Sequence, residues 1–271
     1  MLIRSLTLLS FLFLVGCAPK TTQESGCFLV VLVEARQLDT TNTQNFFRSV
    51  AKHPSDGSKN GDVGHAWIYL QNDSFSIEGG HSGETGEFQP KYFDGVLELA
   101  ECGDPNPIRY LWETQQDGFF QNGNGGHQPT CAIRIDLNEE QFQDILNLIK
   151  NYDFHSYAIT GSQCGTFVCE AAALAGIDVE CCQTMSICRY VKLGGQKYTL
   201  WEDSSYSEIT FASPDIIQYS CKELLHKREV TDALTWYKTK HPISFKSRLL
   251  NFQETLVNLP YRLARLKYVM N

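Results

Sequence analysis

Ser156-Tyr157-Ala158-Ile159-Thr160-Gly161-Ser162-Gln163-Cys164-Gly165-Thr166-Phe167-Val168-Cys169-Glu170 reads as a loop that delivers a cysteine to the mouth of a helix. Ser162 has the side chain of an N-cap, and Gly176 stands where a helix needs a C′ stop, after the alanine-rich run that ends at Leu174 and Ala175. Cys164 then falls in the first helical turn, where unpaired backbone N–H groups and the helix dipole favour a thiolate over a thiol. Phe167, Val168, Ala171 and Ala175 follow at helical spacing, so the sulfur shares the stripe that packs into the core. Cys164 is thus a candidate nucleophile. The competing reading is a buried structural cysteine on an apolar helix.

A thiol nucleophile needs a base, and the best-placed histidine is His65 in Gly64-His65-Ala66-Trp67-Ile68-Tyr69-Leu70. This segment and Phe75-Ser76-Ile77-Glu78 read as a β-hairpin joined by Gln71-Asn72-Asp73-Ser74. At the start of its strand, the His65 imidazole is expected to face the helix N-terminus. With the turn at about Asn72 and Asp73, the residue opposite His65 is Gly80 or His81, depending on a one-residue register choice, and Glu78 is a diagonal neighbour. His81 is the first candidate to hold the imidazole in the right tautomer and Glu78 the second; a loop histidine in a glycine-rich turn is the competing reading of His81. The oxyanion donors expected are the Cys164 N–H and Tyr157 from the preceding loop. His53, His127 and His155 lie in loops, and His226 and His241 in the C-terminal third, without a comparable partner.

A histidine in Gly-His-x-x-Ile-Tyr-Leu ahead of a Gln-Cys-x-x-Phe-Val helix resembles the NlpC-type papain fold in its circularly permuted order, shared with lecithin:retinol acyltransferase-like proteins. The resemblance spans roughly residues 27–225, with His65 about a hundred residues before Cys164. It implies Cys164 as nucleophile, His65 as base and His81 as orienting residue. Gln163 stands where many permuted relatives have asparagine, and the spacing from His65 to His81 exceeds that of acyltransferase relatives. The fold expected is α+β, a permuted papain-like arrangement with an antiparallel sheet packed on the Cys164 helix. The chemistry implied is acyl transfer to the thiolate, most plausibly in cleavage of an amide bond in peptidoglycan peptides. Alternatives are an acyl-ester or thioester hydrolase or acyltransferase, and a catalytically silent binding protein on the same scaffold.

Around this centre, Cys27–Glu34 has the composition of a buried strand and Asn42–Lys52 of a short helix, with His53–Asp62 a turn-rich loop. Residues 79–107 and 115–129 read as long loops, with a strand at Ile108–Glu113 between them. Thr130–Leu137 alternates as a strand. Asn138–Asn151 is the clearest helix, with capping-box spacing at Asn138 and Gln141. Tyr198–Trp201 and Ile209–Ala212 are weak strands, and Ser213-Pro214 opens a further helix to about Lys227. The catalytic domain is drawn at 27–227. Residues 228–271 form a basic amphipathic segment, with Lys246, Arg248, Arg262, Arg265 and Lys267 among apolar residues from about Ile243.

The chain of 271 residues opens with Arg4, an apolar run from Leu6 to Val15 and Leu14-Val15-Gly16-Cys17. A positive start and a short apolar core read as a secretory signal over 1–16. Leu-Val-Gly-Cys resembles the bacterial lipobox, which implies diacylglycerol on Cys17, a polar tether over 17–26 and an outer-membrane lipoprotein facing the periplasm or the surface. The net charge of −8 argues against a nucleic-acid partner. Ten cysteines suit an exported protein. Setting aside Cys17 and Cys164 leaves an even set, some of it expected to be bridged. A zinc site at Cys181, Cys182 and Cys188 is the alternative use of three of them, and no cofactor is expected.

Overall fold

The alternating apolar runs pair into one antiparallel sheet, and the helices cover it. The computed structural model of the chain describes residues 26–50, 63–83 and 92–242. The proposed signal, Cys17, the tether, His53 and the basic residues from 243 onward lie outside the described residues. The strands of the sheet are β1 (Phe28–Glu34), β2 (His65–Gln71), β3 (Ser76–Ser82), β4 (Phe119–Asn122), β5 (Cys131–Asp136) and β6 (Thr231–Asp232). Their order is β6-β5-β1-β2-β3-β4, with every neighbouring pair antiparallel.

The apolar run of β1 follows from its place between β2 and β5 with both faces covered. One face carries Leu29, Val31, Val33, Ala66, Ile68, Leu70, Ile133 and Ile135. Against it pack α1 (Glu139–Asn151), α2 (Cys164–Leu174) and α3 (Pro214–Lys227), through Phe142, Ile145, Phe167, Val168, Ala171, Ile217 and Leu224. Each of the larger of these side chains contributes about 1.5–3 kcal/mol when fully buried. The other face carries Phe28, Val30, Leu32, Trp67 and Tyr69, closed by Ala233 and Tyr237 beside and within α4 (Leu234–Lys240). Residues 228–242, which the sequence assigns to the tail segment, therefore form β6 and α4 on this sheet.

A second core gathers Phe46 and Phe47 of α5 (Thr43–Val50), Phe93 and Val96 of α6 (Tyr92–Glu101), and Ile108 and Leu111 of a 3-10 turn at Pro107–Leu111. Two small ribbons complete it, β7 (Cys182–Ser186) with β9 (Glu208–Ala212) and β8 (Tyr190–Leu193) with β10 (Gln196–Thr199). The expected strand at Ile108–Glu113 is replaced by that 3-10 turn, because Pro107 opens it and Ile108 and Leu111 meet three residues apart. The expected loop 79–107 likewise contains α6. Its Phe93 and Val96 are buried three residues apart, a signal too short to stand out among acidic and glycine neighbours.

Candidate active site

The loop before α2 is fixed by its backbone. Tyr157 exchanges two hydrogen bonds with Gln115, N to O at 2.9 Å and O to N at 2.7 Å, and Ala158 N–H donates to Ser162 O at 3.0 Å. The N-cap is Gln163 rather than the expected Ser162, one residue closer to Cys164. The Gln163 Oε1 accepts from Gly165 N at 2.8 Å, while Gln163 N donates to Thr166 Oγ1 at 2.8 Å. At the other end Gly176 takes φ +80° and stops the helix as expected.

Gln163 is buried and its amide is fully committed. Nε2 donates to Ala212 O at 2.6 Å and to Ile159 O at 3.4 Å, so Oε1 must be the atom that faces Gly165 N–H. The same Oε1 accepts from the Cys164 Sγ at 3.3 Å. A sulfur that donates carries its proton, so Cys164 rests here as a thiol beside a carbonyl oxygen. Cys164 is 2% exposed, on the α2 stripe shared with Phe167 and Val168 that faces the sheet.

Which histidine shares that side is settled by strand register. Gly79 lies opposite Ile68 and Ile77 opposite Leu70, and His81 lies opposite Phe120. Ile68, Leu70, Ile77 and Phe120 all belong to the core under α2, so His81 points toward α2. His65 does not. It alternates with Ala66, stacks on Trp67 at 5.7 Å and on His127 at 4.5 Å, and shares the face closed by α4. The expected orientation of His65 toward the helix N-terminus is thus corrected. The cause is the turn: Asn72–Phe75 forms a four-residue loop in which the Asn72 Oδ1 accepts from Ser74 N and Phe75 N at 3.0 and 2.8 Å. Extending the observed register puts Ser82, not Gly80 or His81, opposite His65.

His81 is completely buried, and its Nε2 lies 3.1 Å from Phe154 O. A carbonyl only accepts, so Nε2 carries the hydrogen and Nδ1 is a lone pair, buried without a partner among the described residues. Burial pushes its pKa down to about 4, against smaller opposing effects of the Phe154 carbonyl and Asp153. Tyr152, Phe154 and Tyr157 meet its ring edge-on at 5.3, 5.4 and 5.0 Å. Close packing continues at Gly118, where a Cβ would come within 3.0 Å of His81 Nε2 and 2.3 Å of Phe154 O.

Tyr152, which no motif singles out, packs between the His81 ring and the first turn of α2. Its ring meets His81 and also Phe167 at 5.1 Å, one turn beyond Cys164. Its pKa is raised, chiefly by burial, with a smaller contribution from Cys164 nearby. The hydroxyl is buried and makes no hydrogen bond among the described residues, although Ser162 and Thr166 lie close enough to favour its ionised form. Nothing local in the sequence marks this tyrosine, since it follows α1 as an ordinary loop aromatic.

The remaining candidates have other surroundings. Glu78 lies on the α4 face, accepting from Trp67 Nε1 at 3.0 Å and Tyr237 OH at 2.5 Å, with His241 Nδ1 at 3.7 Å. It therefore anchors α4 and does not touch His81. Tyr157 has its ring on His81 and its backbone N–H on Gln115. The His65 pKa falls well below its usual value through burial, then through His127 and His81, and its Nε2 is buried without a partner among the described residues. His127 Nδ1 lies 2.6 Å from Glu34 Oε2, which also accepts from Arg36 through Oε1 at 3.1 Å. Among the described residues no group of three or more His, Cys, Asp or Glu is arranged to hold a metal ion. Cys182 opens β7, a five-residue strand about 13 Å long, and Cys188 lies two residues past its far end, which sets apart two ligands of the alternative zinc site.

No family model, curated protein or solved structure matches the chain.

Proposed function

We propose that this chain is a thiol-dependent hydrolase of the permuted papain-like type, with Cys164 as nucleophile and His81, in place of His65, as its base. The observation that carries the reading is that His81, a neutral imidazole with a lone pair on Nδ1, and Cys164 lie on the same side of the sheet, with Tyr152 packed on the His81 ring and on Phe167 of the Cys164 helix. On approach of a carbonyl substrate, the Cys164 proton leaves Gln163 Oε1 for His81 Nδ1, and the sulfur attacks the carbonyl carbon. The imidazolium then protonates the leaving group, and water releases the acyl group from the thioester. The Tyr152 hydroxyl, buried with no hydrogen-bond partner among the described residues, is the side-chain donor assigned to the oxyanion in this reading, while both Gln163 amide hydrogens are committed to carbonyls.

The proposed setting is a lipoprotein of the outer membrane, tethered through Cys17, and the proposed substrate is an amide bond of peptidoglycan peptides. A second reading, an acyl-ester or thioester hydrolase or acyltransferase, draws support from the aromatic ring cluster of Tyr152, Phe154, Tyr157 and Phe167 around the site. The silent-scaffold reading is favoured by His65 lying on the far face, and it stands or falls with His81. Incubation of wild type and Cys164→Ala with peptidoglycan peptides and with acyl esters, followed by mass spectrometry, tests all three. A covalent adduct on Cys164 from only one substrate class selects that reading. No adduct from either class, with intact folding, selects the silent scaffold.

A further inference from the structure

Nine cysteines fall within the described residues, and five of them lie along one seam where α2, α3, β5 and the entry to β7 meet. Alternation on β5 turns Cys131 toward the helices, and Cys221 lies on the buried stripe of α3 with Ile217 and Leu224. The two thiols are neighbours in the same core and each shifts the other's proton affinity, Cys131 downward and Cys221 upward. Cys169 of α2 and Cys181 act on each other in the same way, and Cys181 Sγ is 3.6 Å from Cys182 Sγ. The backbone fixes this arrangement independently of the sulfurs. Ser213 N donates to Cys181 O at 2.8 Å and Glu180 N to Ser220 Oγ at 3.0 Å, which holds the 180–181 segment on α3 beside α2.

We propose that this seam is a cross-linking site, in which Cys169 pairs with Cys181 and Cys131 with Cys221 as intrachain disulfides while Cys164 keeps its thiol. The oxidant is a disulfide, either a small molecule or a protein. Cys181 is the entry point because it is partly exposed, and as a thiolate it accepts from Cys169 and from Cys182, which pushes its pKa down to about 6. The Cys181 thiolate attacks the oxidant's S–S bond, forms a mixed disulfide and expels one thiolate. Cys169 then loses its proton to solvent and attacks the Cys181 sulfur, releasing the second thiol. Two electrons pass from the pair to the oxidant. Cys131 and Cys221 are buried and join by the same exchange before α3 closes on β5 during folding. Cys164 and Cys169 are five residues apart on one helix, about 140° around its axis and about 7.5 Å along it, outside the reach of an S–S bond. The two bridges tie down α2 and α3, whose first turns meet beside the nucleophile, with Ala212 and Ile217 against Gly165. The pairing does not depend on the hydrolase reading, since it is read without any substrate.

The test is to fold the full chain in a reduced and oxidised glutathione buffer, block free thiols with iodoacetamide in denaturant, and digest after glutamate. Cleavage after Glu139, Glu170, Glu180, Glu208 and Glu223 puts the two members of each proposed pair on different peptides. The expected result is peptide 141–170 joined to 181–202, with alkylated Cys164, Cys182 and Cys188, and peptide 114–139 joined to 209–223. Cys182→Ser, a change at an exposed position, should keep both links, whereas Cys181→Ser should leave Cys169 alkylated. Absence of linked peptides after oxidation, a Cys181–Cys182 ring, or any bridge to Cys164 overturns the proposal.

Discussion

The Tyr152 ring stands edge-on to the His81 ring, with centroids 5.3 Å apart and planes at 80°. The contact sets a buried phenol hydroxyl, close to Ser162 and Thr166 at the start of the Cys164 helix, beside an imidazole whose Nδ1 is buried without a partner among the described residues. In a low-dielectric site, a neutral base and a neutral acid can share a proton-transfer path without the desolvation cost of a resting ion pair.

The two histidines should therefore differ sharply. His81→Ala is expected to lower turnover of a Cys164 substrate by about 10²- to 10⁴-fold, the usual range for a lost general base. His65→Ala should leave alkylation of Cys164 by iodoacetamide close to wild type, because its ring is on the other face. Equal losses in both variants would reject the assignment of His81.

Tyr152 and Tyr157 are separated by paired Phe substitutions. Tyr152→Phe removes the hydroxyl proposed for the oxyanion and should reduce kcat by about 10²-fold or more with little change in KM. Tyr157→Phe keeps the ring that packs on His81 and should change kcat little. The reverse ranking would return the oxyanion role to Tyr157.

The His81 pKa gives a signed pH dependence. Its folded value of about 4 lies below the ordinary 6.5, so between these values the unfolded chain binds the extra proton. Stability from this group is complete above about pH 6.5 and is lost as pH falls toward 4, by roughly 2–3 kcal/mol. His65, shifted in the same direction, adds to the loss. Urea unfolding at several pH values should show wild type weakening on acidification more than His81→Gln. The acid limb of kcat/KM should lie near the low value and not near 6.5; a limb at 6.5 would point to an exposed histidine as base.

Glu78 is predicted to act on stability and not on chemistry. It accepts from Trp67 and Tyr237, so Glu78→Ala leaves two buried donors without their acceptor and should cost about 2–4 kcal/mol. Cys164 alkylation in the folded variant should be unchanged. A large change in that rate at unchanged fold would restore Glu78 to the site.

Lipidation is tested at Cys17. Expressed in a bacterium, wild type is expected in the detergent phase and Cys17→Ser in the aqueous phase. Identical partitioning of the two would reject a lipid at this position.

The α+β class was legible before any coordinates, because the continuous apolar run at 28–34, the strand-like segment at 65–70, the alternating run at 131–136 and the helical stripes at 139–151 and 164–174 are local signals of burial. The place of Cys164 at a helix start was equally local, read from the helical stripe that follows it and from Gly176, whose φ of +80° ends the helix. What no local signal could fix was which histidine shares the sheet face of the sulfur. On paired antiparallel strands the face that a residue takes depends on the parity of the register, and that parity is set by the turn. Asn72 draws Ser74 and Phe75 into a four-residue loop, a shift of one position from one of the two registers open to the sequence, and this sends His65 and His81 to opposite faces. The pairing of Tyr152 with His81, and of Cys169 with Cys181, likewise joins segments far apart in the chain or on different elements. Only the packing of α2 on the sheet and against α3 brings them together, since side-chain contact across elements is decided by tertiary burial and not by spacing along the chain.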